Sequence, residues 1–310
     1  MTDAAPRAET RIRAIPAIAL ETDTVEAPRE LALHLAHHLS PRIFLHPLTA
    51  DYPISIDDYL AACRVPSFNG DLALEPDLQR LASSQQMHLL PVVVHTFSRV
   101  IVGMKPGLVP LNGWTLTFFV MLYANQPDAR MCGCYPLPGS GHAADIEWVV
   151  VLSRPAPERP PAAEAAFYSA HGSRESQWVV DPSSRGQQMP LPVFVARDTH
   201  ANYPTGGAKV RIWGFHVDWC GDGDDRTTVA RAGEEDQGSA ARAVSPIGNT
   251  LQPGRYTLQF LSANHSWRLF TGAMGPDGIG GLGGRGRLDI PGTETNGSGD
   301  AWRRRLFRLS

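Results

Sequence analysis

One histidine and two carboxylates stand just ahead of an apolar run in the segment GSGHAADIEWVVVLSR. Because successive side chains of a strand alternate between its two faces, Asp145 and Glu147 are predicted to project from the same side. The glycines before His142 give the backbone the freedom to bring its imidazole to the same place. Such a set suits a divalent cation, with Mg²⁺ or Ca²⁺ expected first and Zn²⁺ or Mn²⁺ as alternatives. The same alternation of side chains is equally consistent with a solvent-facing strand edge whose polar residues simply point outward.

Two histidines elsewhere in the chain are candidates for proton transfer. His200 follows an apolar strand in VFVARDTHANYP and has polar neighbours, and His171 ends another strand in AAFYSAHG. Histidine changes charge near neutral pH, so either residue could serve as general base or acid beside a bound cation. A histidine satisfied in the core or at its rim is the competing interpretation of His171, and of His216 in GFHVDW.

Other patterns carry less chemistry. His34 and His38 lie one turn apart on a predicted helix, but no third ligand is evident near them. The acidic loop at 218–225 lacks the ligand spacing and closing Glu of an EF-hand, so its carboxylates are interpreted as solvated. The glycine-rich stretch at 272–286 is predicted to be a surface loop. The chain has no G-x-S-x-G elbow and no cysteine in a recognised catalytic context, which leaves serine and cysteine acyl transfer unsupported.

Composition limits the classes of protein and partner. The 310 residues are 43% hydrophobic and 19% charged, which is enough for a proper core, and 29 Gly and 26 Pro favour strands and turns. A net charge of -3 gives no general reason to bind nucleic acid. No stretch approaches 18 uninterrupted apolar residues and the N-terminus lacks an apolar signal region, so we expect a cytoplasmic protein without a transmembrane segment. Oligomeric state is left open.

The elements that must position these residues are mainly β. Short runs of β-formers separated by turn residues from Leu89 onward predict an antiparallel β-sandwich with long surface loops. Before it, PRELALHLAHHLS predicts a helix, and Ser55 with Asp58 resembles a capping box at the start of a second. Residues 1–25 are predicted to be an extension, and residues 26–310 a single β-sandwich domain whose part 26–88 is helical.

Several of these segments together resemble a known family. Over most of Pro41 to Pro204, the order and the residue patterns of these segments are similar to those of the vacuolar protein sorting-associated protein 62 family. The segments that carry the resemblance are PRIFLHPLTADYPISIDDYL, GWTLTFFVMLYANQ, GSGHAADIEWVVV, AAFYSAHGSRESQWV and LPVFVARDTHANYP.

The heptapeptide GHAADIE also resembles that of the necrosis-inducing cytolysins, which are secreted β-sandwich proteins. The resemblance implies that His142, Asp145 and Glu147 are ligands of a divalent cation. It is partial, because Ala144 stands where those proteins have a second histidine and Ile146 where they have tryptophan.

Two functions from different classes follow. The first is a metal-dependent intracellular enzyme that acts on a small organic substrate by hydrolytic, lyase or cyclisation chemistry, with His200 or His171 transferring protons. The second is a binding protein of cytolysin type, in which the cation bridges the protein to a glycan or a lipid headgroup and no bond is broken. The several histidines expected around the cation favour the enzyme.

Overall fold

The computed structural model describes residues 24–45, 51–64, 67–68, 71–72, 75–86, 89–102, 111–127, 130–131, 135–136, 141–155, 160–170, 176–180, 190–197, 199–210, 217–220, 227–231 and 255–265. Within these residues the fold prediction is confirmed, because the chain is mainly β, with an antiparallel sheet at its centre and short helices near its N-terminus.

Three short helices precede the long strands: α1 (Arg29–Leu39), α2 (Ile56–Ala61) and α3 (Leu78–Gln86). The spacing of Leu31, Leu35 and Leu39 predicts one apolar face on α1, and Leu35 and Leu39 are buried there, whereas Leu31 in the first turn is exposed. Ser55 caps the N-terminus of α2, where its hydroxyl accepts a hydrogen bond from the backbone N–H of Asp57 at 3.0 Å. None of the described helices is both long and apolar enough to cross a membrane.

The described strands range from 2 to 12 residues, and β7, β8 and β11 are the long ones. Their bounds are β1 (Thr24–Glu26), β2 (Arg42–Leu45), β3 (Cys63–Arg64), β4 (Ser67–Phe68), β5 (Asp71–Leu72), β6 (Glu75–Pro76), β7 (Val92–Ile101), β8 (Thr115–Gln126), β9 (Arg130–Met131), β10 (Tyr135–Pro136), β11 (His142–Ser153), β12 (Ala163–Tyr168), β13 (Gln177–Val180), β14 (Pro192–Val195), β15 (Asn202–Tyr203), β16 (Gly207–Val210), β17 (Val217–Cys220), β18 (Thr227–Arg231) and β19 (Arg255–Phe260).

Eleven of these strands form one sheet in the order β13-β12-β11-β8-β7-β19-β18-β2-β14-β15, with β1 paired to β7. The ladders from β13 to β7 are antiparallel. The ladders β7–β19, β18–β19 and β2–β14 are parallel, which the sequence pattern did not indicate. Parallel pairing needs a long crossover between the strands, and each of these pairs is well separated along the chain.

The far end of this sheet returns to its centre. Strand β15 contacts β11, and the backbone N–H of Asn202 donates to the carbonyl oxygen of Ser169, the residue after β12, at 2.8 Å. The β14–β15 hairpin therefore covers one face of the β8–β11 pair. This return of the sheet onto itself brings the turn between β14 and β15 over the middle strands.

The opposite face of the middle strands is an aromatic core. Phe97 stacks on Phe118 across β7 and β8, and Trp148 on β11 stacks on Phe167 of β12. Their side chains share one face because residues paired directly across a ladder project from the same side. All four are essentially inaccessible to solvent, so this face anchors β11 rigidly beneath the polar residues on its other side.

Candidate functional site

Two carboxylates of β11 lie on the face that the β14–β15 hairpin covers. Asp145 is paired with Tyr123 of β8, and Glu147 is paired with Met121. Asp145 and Glu147 therefore share a face with Tyr123, as strand alternation predicts, while Trp148 belongs to the opposite face. Both carboxylates are buried, with 6% and 4% of their surface exposed. Buried carboxylates require hydrogen-bonding or charged partners.

The backbone immediately before Asp145 is unusual. Ala144 adopts a φ of 55°, in the left-handed region that costs an L-residue about 1–2 kcal/mol. The β11–β8 ladder nevertheless continues in one register on both sides of it, so pairing of the neighbouring residues holds Ala144 in this conformation. Strain of this kind is typical of functional positions in proteins.

His200 lies in the tight turn that joins β14 to β15. Its backbone N–H donates to the carbonyl of Ala196 at 3.2 Å, and the N–H of Ala196 donates to the carbonyl of Ala201 at 2.9 Å. His200 has a φ of 54°, a left-handed conformation that histidine tolerates better than most residues. The turn places its imidazole inside the protein, where no part of the residue is exposed.

His200 and Asp145 form a buried pair. The Nδ1 atom of His200 lies 2.9 Å from Oδ2 of Asp145, although the two residues are 55 positions apart in the sequence. When Asp145 is ionised it can only accept, so in the neutral imidazole Nδ1 carries the proton and Nε2 presents a lone pair. The ring of Tyr123 stacks on the imidazole, with centroids 3.9 Å apart and planes within 3° of parallel.

The second imidazole nitrogen has no such contact. Nε2 of His200 is buried, and no hydrogen-bond partner for it occurs among the residues that the structure describes. Leaving a buried polar atom unpaired costs about 1–3 kcal/mol. A buried polar atom of this kind is normally satisfied by a protein group, a water or a bound molecule, so Nε2 is the atom of His200 that is open to a bound molecule.

Glu147 is held by Ser169. The Ser169 hydroxyl donates a short hydrogen bond to Oε2 of Glu147 and accepts the backbone N–H of Trp148 at 2.8 Å. The carbonyl oxygen of Ser169 accepts from Asn202, two residues after His200. Ser169 therefore connects β11 to the β14–β15 hairpin at the level of both carboxylates.

Asp51 adds a third carboxyl group to the surroundings of His200. The Pro53–Ile54 segment that follows it is hydrogen-bonded to β7 and β8, and Ile54 forms a bridge with Leu122. Burial raises the pKa of Asp51, while the charge of His200 acts in the opposite direction. Burial also raises the pKa of Tyr123 well above its usual value, with the charges of Asp145, Glu147 and Asp51 adding to the effect.

His142, the third predicted cation ligand, stands at the start of β11. It is half-buried, and its Nδ1 lies 3.3 Å from the carbonyl oxygen of Ala143. No three His, Cys, Asp or Glu side chains in the described part of the chain are grouped closely enough to hold a metal ion. The described side chains of His142, Asp145 and Glu147 therefore do not form a coordination set, and the cation stays a prediction.

Other predicted residues are placed as follows. His171, His216, Asp222 and Asp224 lie outside the described residues. His34 and His38 are exposed on α1, with ring centroids 4.6 Å apart.

Sequence reasoning missed three residues of the site: Tyr123, Ser169 and Asp51. Tyr123 is one of many aromatic residues in an apolar strand, and Ser169 and Asp51 belong to no motif. The only signal available in advance was strand alternation, which would place a residue of β8 opposite Asp145 once the ladder was known.

The comparisons with known proteins offer no further guide to this site. The chain matches no protein-family model, no curated protein and no solved structure. Its relationship to the families that it resembles therefore stays a prediction, and the function is argued from the Asp145–His200 pair itself.

Proposed function

We propose that the protein is an enzyme that acts on a small organic substrate by proton transfer at His200. The observation that carries the proposal is the buried Asp145–His200 pair, 2.9 Å apart, whose Nε2 has no partner among the described residues. Hydrolytic, lyase and cyclisation reactions all require a proton to be removed or delivered at a defined atom. A histidine oriented by a carboxylate is a common solution to that requirement.

Asp145 has two effects on the imidazole. Accepting from Nδ1–H fixes the tautomer in which Nε2 is the base. When Nε2 takes a proton from the substrate, the nearby carboxylate stabilises the imidazolium that forms, and the dry surroundings strengthen this attraction.

Tyr123 and Asp51 complete the proton-handling group. The stacked ring of Tyr123 prevents the imidazole from rotating away from Asp145. Because burial raises the pKa of Asp51, its carboxyl group holds a proton to a higher pH than an exposed aspartate does. Asp51 is therefore suited to return a proton to the substrate after His200 has removed one.

The proposed proton transfer does not depend on the predicted cation. If present, it would be held by His142, Asp145 and Glu147 and would polarise a substrate oxygen. Since the described side chains do not form that set, the steps above use only the chain's own groups. The preference for Mg²⁺ or Ca²⁺ follows from the two carboxylates.

Comparison of the wild type with His200→Gln tests the proposal. Each protein is incubated with a mixture of small metabolites, and mass spectrometry records which compounds are consumed and at what rate. Because glutamine has no basic nitrogen, we expect turnover to fall by about two to four orders of magnitude with the fold retained. His37→Gln, on the exposed face of α1, is the matched control.

Two outcomes contradict the proposal. One is equal turnover by the wild type and His200→Gln. The other is cation-dependent binding of glycans or lipid headgroups without conversion of any compound, which would instead support the binding protein considered from the sequence.

A further inference from the structure

Asn202 directs its side chain toward the main core. It is paired with Val195 across the β14–β15 ladder, so the two side chains project from the same face of the hairpin. Val195 belongs to the main core, whereas Phe194 and Tyr203 pack in a separate small cluster on the other face. The Asn202 carboxamide is completely buried on the side of the hairpin that faces the middle strands.

Among the residues that the structure describes, neither Oδ1 nor Nδ2 of this carboxamide has a hydrogen-bond partner, although the backbone N–H of Asn202 is bonded to Ser169. In the described chain, no other side chain leaves two buried polar atoms unpaired. Such a group destabilises the ligand-free fold unless a bound molecule satisfies it. Two residues earlier, Nε2 of His200 is in the same condition.

We infer that the Asn202 carboxamide binds the substrate, and that the substrate carries a hydrogen-bond donor and acceptor side by side, as a lactam or a carboxylic acid does. A carboxamide offers an acceptor and a donor in one plane, so it pairs with such an edge through two hydrogen bonds. The inference rests on the proposed function, because Asn202 begins β15 two residues after His200, and both side chains have buried polar atoms without partners among the described residues. A buried water is the competing occupant.

The binding experiment uses 2-pyridone, a lactam with adjacent N–H and C=O groups, and N-methyl-2-pyridone, which keeps the shape but lacks the donor. We expect the melting temperature of the wild type to rise with 2-pyridone concentration and not with the methylated probe, since a ligand of the native state stabilises it by mass action. Asn202→Ala removes both contacts and should abolish the shift.

A stability experiment on the ligand-free protein separates a binding group from a structural one. Asn202→Leu replaces the unpaired amide with an apolar group of similar shape and should raise the melting temperature by about 2 to 4 °C. Thr117→Val is the control: Thr117 accepts from the hydroxyl of Ser98 at 3.1 Å, so its removal should lower the melting temperature.

The inference is overturned if 2-pyridone leaves the wild type unchanged, if both probes act equally, or if Asn202→Ala keeps the shift. It is also overturned if Asn202→Leu, folded, is less stable than the wild type, because the amide would then be satisfied by a buried water. The turnover of His200→Gln tests the proposed function independently. If that turnover equals the wild-type value while 2-pyridone still raises the melting temperature of the wild type, the proposed function is contradicted and the Asn202 contact is supported.

Discussion

The phenol ring of Tyr123 lies flat against the imidazole of His200, with centroids 3.9 Å apart. Tyr123 is also the residue paired across the ladder with Asp145, the hydrogen-bond partner of His200. Tyr123 on β8 therefore stacks on the imidazole ring, and Asp145 on the neighbouring strand β11 accepts its hydrogen bond. The imidazole is fixed by two residues of the rigid β8–β11 pair rather than by its own turn.

Substitution of Tyr123 tests the value of this stack. Within the described residues, the hydroxyl contacts only Sδ of Met121, at 3.8 Å, so Tyr123→Phe should change the free energy of unfolding by less than about 1 kcal/mol. Tyr123→Leu removes the aromatic contact and leaves space, and should cost about 2–3 kcal/mol. Urea unfolding of both variants provides the measurement, and equal losses would show that the stack contributes nothing.

Metal binding distinguishes the predicted cation site from the acidic loop. Asp145→Asn and Glu147→Gln should each weaken binding of Mg²⁺, Ca²⁺ or Mn²⁺ about 10- to 100-fold, because each removes a ligand charge. Asp222→Asn and Asp224→Asn are the controls. Calorimetric titration after chelation and dialysis gives the affinities; the same affinity in all four variants would mean that the cation prediction is wrong.

His95 should make the protein sensitive to acid. Its Nε2 accepts the backbone N–H of Ile56 at the start of α2, at 3.1 Å. Burial lowers the pKa of His95 to about 4, with His265 acting in the same direction and Val120 and Asp57 opposing it.

The sign of the pH effect follows from this shift. Below the unfolded pKa of about 6.5, the unfolded chain takes up a proton that the folded chain refuses. Stability is therefore complete above about pH 6.5 and falls by about 3 kcal/mol as the pH approaches the folded pKa of about 4. His95→Gln keeps an acceptor but does not titrate, so its denaturation midpoint should vary less between pH 7 and 4.5. If the midpoint of His95→Gln changed with pH as steeply as that of the wild type, groups other than His95 would cause the acid sensitivity.

Ser169 should contribute more to stability than an ordinary buried serine. Ser169→Ala removes the hydroxyl that accepts from the N–H of Trp148 and donates to Glu147, and should cost about 2–4 kcal/mol. Ser98→Ala removes a hydroxyl that donates to the hydroxyl of Thr117, and should cost about 1 kcal/mol. Thermal and urea unfolding of the two variants would contradict this if Ser98→Ala were the more damaging.

The features that could be predicted from the sequence are those set by interactions between residues close together in the chain. The position of Ser55 before a short helix, the burial of Leu35 and Leu39 and the shared face of Asp145 and Glu147 depend on residues within one element. Caps, helical periodicity and strand alternation act over that range.

The contacts among the site residues could be identified only from the three-dimensional fold. His200 was a candidate for proton transfer from its sequence context, but its contact with Asp145 depends on a sheet whose far end returns over its middle. Asn202 was only a polar neighbour of His200 in the sequence, because nothing local shows that its amide is buried without a partner among the described residues. The parallel ladders of β2 and β19 are likewise set by long crossovers and leave no local pattern.

The position of β2 implies an order of events during synthesis. This N-terminal strand pairs with β14, where Ile43 is opposite Val193, and with β18, where Leu45 is opposite Thr227. Both edges of β2 must therefore wait until the ribosome has produced most of the chain, and loop closure over such distances slows folding. Because the turn that carries His200 follows β14, activity should return later than β-sheet circular dichroism when the denatured protein is refolded.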